Sequence, residues 1–178
     1  MKAPRVGHRP ATVIVVFVCF ALIAPTNVSA DQATRRDADD VRSFLDIAGV
    51  NHEHERLADG SRRIRHTIRM HERWSVRSLF PNRCGHLVIQ IDRMGGPQIE
   101  FSYDGELKAH FDGRRVPTWR PNRRSITVRV RPRLLARGDR SYRWLARSLA
   151  TADDACSSGD QGFVDTAPDS RWIRHDLG

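Results

Sequence analysis

The chain of 178 residues carries 30 Lys or Arg against 21 Asp or Glu, a net charge of +9 at pH 7. That length supplies one domain with room for a real core, and nothing in it calls for a second. No GxSxG, HExxH or glycine-rich phosphate loop occurs, which removes the catalytic classes built on those motifs.

Met1 to Pro10 holds Lys2, Arg5 and Arg9 and no acid, and the next 14 residues, ATVIVVFVCFALIA, are apolar apart from Thr12. This is the basic n-region and apolar h-region of a secretory signal, and Val28-Ser29-Ala30 places small residues at the cleavage positions. A membrane anchor needs about 20 apolar residues. Residues 1–30 are therefore expected to be cleaved as a signal peptide, leaving 31–178 as a single secreted domain, extracellular or associated with the cell wall.

The mature part would have 27 basic and 21 acidic residues, a net charge of +6, with Lys108 as its single lysine. Arginine grips phosphate and carboxylate in a bidentate way that lysine cannot; a compositional bias of the coding genome gives the same Arg-for-Lys pattern. Cys19 leaves with the signal. The remaining pair, Cys84 and Cys156, predicts one disulfide in an exported chain, worth about 4 kcal/mol on the chain-entropy model for a loop of roughly 70 residues. Two free buried thiols are the alternative.

Phe44 to His52 is read as a first strand, with Leu45 and Ile47 on one face. Arg63 to His71 alternates Ile64, His66, Ile68 and Met70 against Arg63, Arg65, Thr67, Arg69 and His71, the pattern of an amphipathic strand whose arginines are solvated. His66, on the apolar side, is expected to be a hydrogen-bonded core histidine. HLVIQIDR, QIEFSYD and ELKAHFD follow as three short strands in a meander, then RSITVRVR, then SYRWLARSLA with Tyr142, Trp144 and Ala146 at strand spacing. WSVRSLF and PRLLAR are places for short helical turns. Asp59-Gly60, Asp104-Gly105, Asp112-Gly113 and Gly95-Gly96 lie beside alternating runs and mark hairpins. About eight strands without a long helix predict an all-β fold, an antiparallel sandwich of two sheets.

A run of landmarks carries a resemblance: Asp37, Asp39 and Asp40, LDI at Leu45 to Ile47, RHTI at Arg65 to Ile68, Trp74, RPNRRS at Arg120 to Ser125, YRW at Tyr142 to Trp144, and CSSGDQGFVDTAP from Cys156 to Pro168. In this order they resemble a group of small exported β-sandwich proteins of high-GC actinobacteria. More distantly, the chain is similar to the sandwich modules appended to secreted peptidases and carbohydrate-active enzymes, which implies a jelly-roll-like fold. The resemblance implies no activity.

Three surfaces carry chemistry. His52 and His54 are two apart, on one side of a strand, where both could reach one zinc or copper ion; His66, His71 and His110 are candidates for a third ligand, and a charged strand end is the alternative. Asp37, Asp39, Asp40 and Asp165, with Asp153, Asp154 and Asp160, offer hard oxygen ligands for calcium if the chain ends meet. Trp119 lies among Arg114, Arg115, Arg120, Arg123 and Arg124, where an aromatic ring and guanidinium groups could hold a sugar, a base or an anionic polymer. No cofactor is expected, with calcium as the alternative.

The function these features lead to is non-catalytic binding at or outside the cell envelope, of an anionic or carbohydrate polymer. A structural or accessory envelope protein with a protein partner is the second class, and a small secreted hydrolase the third. Nucleic acid is not expected as a partner, and no membrane span remains after cleavage.

Overall fold

The computed structural model describes residues 32–41, 43–79, 85–136, 139–150, 163–169 and 171–177. The expected signal peptide, Cys84, Cys156, Asp153, Asp154 and Asp160 lie outside the described residues.

Among the described residues twelve strands, more than the eight expected, form two antiparallel sheets. The first sheet runs in the order β1 (Gln32–Arg36), β2 (Ile47–Arg56), β3 (Arg62–Met70), β9 (Ser125–Val130), β8 (Thr118–Asn122). The second contains β11 (Phe163–Ala167), β10 (Ser141–Ala150), β4 (His86–Ile91), β5 (Gln98–Tyr103), β6 (Leu107–Phe111) and β7 (Arg114–Val116), and β12 (Ile173–Asp176) also pairs with β10. The fold is the all-β antiparallel sandwich that the alternating patterns called for. Both expected helical turns are present, a 3-10 turn at Val76–Leu79 and the short helix α1 at Pro132–Ala136. No helix among the described residues is long and apolar enough to cross a membrane.

All four Gly-containing turns join consecutive antiparallel strands. Gly60 and Gly113 adopt φ values of +77° and +74°, which a Cβ would strain. Between the turns, period two decides what is buried. On β3, Ile64, His66, Ile68 and Met70 are buried while Arg63, Arg65 and Arg69 are not; Arg65 pairs with Glu53 of the neighbouring strand. On β9, Ile126, Val128 and Val130 face inward and meet Trp144, Ala146, Ile89 and Ile99 of the second sheet in one core. Removing an isoleucine of this kind from water is worth roughly 2–3 kcal/mol.

The central strands carry the longest pairings. β10 pairs along one side with β4 and shares the other between β12, at Ser141 to Trp144, and β11, at Ala146 to Ala150. β2 is offset from its expected span, beginning at Ile47 and running to Arg56. Its register slips between Ile47 and Gly49. At Gly49 a Cβ would stand 2.5 Å from the carbonyl oxygen of Arg35, so the absence of a side chain there lets β1 close against β2.

Candidate functional site

The RRVPTWRPNRRS stretch is two short strands and a hairpin, and its candidate ligand-binding residues do not form one surface. Arg114 and Arg115 are on β7 in the second sheet, where Arg115 pairs with Glu106. Trp119 is on β8, partly buried, with the Arg129 guanidinium 4.8 Å from its ring centroid. Arg129 is held there by two 2.6 Å hydrogen bonds to Glu55. Arg120 lies 4.3 Å from the Trp74 ring and donates to the carbonyls of Trp74 and Arg123, so its charge fixes the hairpin. Arg123 and Arg124 remain exposed and, with Arg73 and Asn122, line a shallow depression.

A second basic surface escaped the sequence reading. Arg35 and Arg36 of β1, with Arg171, Trp172 and Arg174 at the start of β12 and Pro168 and Asp169 before it, line a groove of about 690 Å³. Trp172 is half-buried and the four arginines are exposed. Arg143 stands 6.0 Å from the Trp172 centroid, and Arg174 is partly neutralised by Asp176 at 3.1 Å. The sequence did contain a signal: RWIRH at Arg171 to His175 interleaves arginine and an aromatic as TWRP does. Its partners Arg35 and Arg36 lie at the other end of the chain, and only the sandwich brings them together.

Three of the histidines occupy the core. His52, His66 and His175 are each fully buried. Trp144 donates its indole N–H to Nδ1 of His52 at 3.1 Å; since indole can only donate, that nitrogen is unprotonated. Tyr142 hydroxyl and His66 Nε2 are hydrogen-bonded at 2.9 Å, the core arrangement expected for His66. Burial holds the His66 imidazole well below the usual 6.5, and His52 and His175 push it further the same way. His54 lies on the same side of β2 as His52, but the His175 ring stands between them, 4.1 Å from His52 and stacked 4.6 Å from His54. His71 contacts the carbonyl of Ala38, and His110 is on β6 in the other sheet. Among the described residues the histidines do not converge as three ligands; the group that does is Asp40, Asp46 and Asp165.

No family model matches the chain, and neither does any curated protein or solved structure.

That acidic group forms where the two sheets meet. Asp37 and Asp40 follow β1, Asp46 precedes β2, and Asp165 sits on β11 of the other sheet. Of the acidic residues from the two halves of the chain, Asp40 and Asp165 come together, with Asp46 added; LDI carries a carboxylate inside an apolar run, the one clue to it. Ile47 N–H donates to Asp165 Oδ2. Burial raises Asp37 to about 7, helped by the charges of Asp165 and Asp169. Burial raises Asp46 to about 6, with Asp39 hydrogen-bonded beside it and His71 opposing. Asp165 is raised as well, chiefly by burial.

Proposed function

We propose that this is an exported, non-catalytic binding domain acting at or outside the cell envelope, and that it takes an anionic polymer along the groove of Arg35, Arg36, Arg171, Trp172 and Arg174. One observation carries the proposal: four exposed arginines from the two ends of the chain surround a half-buried tryptophan. Guanidinium groups of this kind hold phosphate, sulfate or carboxylate in bidentate fashion. A partly covered indole offers an apolar face to a sugar ring between the charges.

The discriminating experiment is co-sedimentation of the purified protein with cell-wall polymer and with a neutral insoluble polysaccharide, at low and high salt. Binding to the anionic polymer alone, weakened by salt, is expected. Arg35→Ala and Arg171→Ala should each weaken it about tenfold, the loss of one charge-assisted contact. Salt-independent binding to the neutral polysaccharide would replace charge with stacking as the basis. No binding to either would end the polymer proposal.

A further inference from the structure

Asp40, Asp46 and Asp165 each place one carboxylate oxygen within 4.8 Å of the other two. Calcium holds oxygen at about 2.3–2.6 Å, so two oxygens on one calcium ion can be at most about 4.6–5.2 Å apart, and hard carboxylate oxygens are the donors it takes. The observed spacing admits one shared calcium-sized ion without displacing a strand.

Asp46 supplies a separate observation. Its side chain is 3% exposed; Asp39 lies hydrogen-bonded beside the carboxyl, yet the Oδ1 atom is buried with no hydrogen-bond partner among the described residues. Such an oxygen has given up water without receiving a donor in return, which a bound cation would correct. Asp165 is equally buried, and the Ile47 N–H holds its carboxylate in place. In a chain so rich in arginine, no Arg or Lys among the described residues pairs with any of the three.

We propose that Asp40, Asp46 and Asp165 bind a divalent cation of the calcium class, which joins the β1–β2 connection of one sheet to β11 of the other. Backbone carbonyls and water would complete the oxygen shell that calcium requires. The site is distinct from the arginine groove, so either can fail without the other.

The test is the melting temperature of the purified protein at neutral pH in calcium chloride and in chelator, with calorimetric titration of calcium. With free calcium about a hundredfold above its dissociation constant, the melting temperature should rise by about 5–10 °C. Asp40→Asn, at an exposed position that does not endanger folding, and Asp46→Asn should each remove most of the rise. Superimposable wild-type curves with no heat of binding would overturn the proposal, as would a rise retained in both variants. An equal rise with magnesium would overturn the assignment to a calcium-sized ion. Stabilisation of Asp46→Asn in chelator, with no calcium response in wild type, would show that the carboxylates share protons instead.

Discussion

Acid should weaken this fold through His66, and the size of the effect follows from its burial. The imidazole is fully buried against His52 of β2, His175 of β12 and Tyr142 and Trp144 of β10, and its neutral form is strongly favoured in the folded state. In the unfolded chain it takes up a proton at about 6.5. The unfolded state therefore binds more protons below that pH, so stability is complete above 6.5 and declines as pH falls toward the depressed folded value. While the folded imidazole stays neutral, the loss between about pH 7.5 and about pH 5 integrates to about 2 kcal/mol. The assay is urea unfolding across that range for wild type and His66→Gln, whose amide can still meet the Tyr142 hydroxyl. Taking the difference at each pH cancels the titration of the aspartates. The wild type should lose about 2 kcal/mol relative to the variant over the range, a fall of roughly 4–8 °C in its relative melting temperature. Parallel curves would refute a neutral, desolvated His66.

Two further outcomes follow from the packing. Gly49→Ala should destabilise the domain by about 2 kcal/mol or more, because the new methyl must displace Arg35 and with it β1; urea unfolding gives the cost, and weaker binding of anionic polymer should accompany it. Tyr142→Phe leaves His66 Nε2 without its hydroxyl partner in the core and should cost about 1–3 kcal/mol by the same measurement.

What could be read in advance divides along physical lines. The hairpin turns were legible because a positive φ is a local demand that Asp-Gly meets locally, and β3, β9 and β10 were legible because one buried face writes period two into the sequence. The missed strands are short edge or terminal segments. β1 is QATRR, β7 is RRV, and β8 contains Pro121, which an edge strand tolerates. Their pairing is fixed by distant partners rather than by their own pattern. The sites divide in the same way: the inward direction of His66 was visible in β3 alone, whereas Asp46 and the Arg171–Arg174 groove exist only through contacts between opposite ends of the chain. The arginines around Trp119 were adjacent in sequence, yet alternation and the hairpin sent them to different neighbours.

The terminal strands also govern when the protein can fold. His175 of β12 packs against His52, and the His54 ring meets the carbonyl of Asp176 across 122 residues of chain. Among the described residues, β12 alone pairs with β10 on the side of Tyr142 away from β4. That part of the core thus cannot close until β12 docks, and such long-range pairing is intrinsically slow.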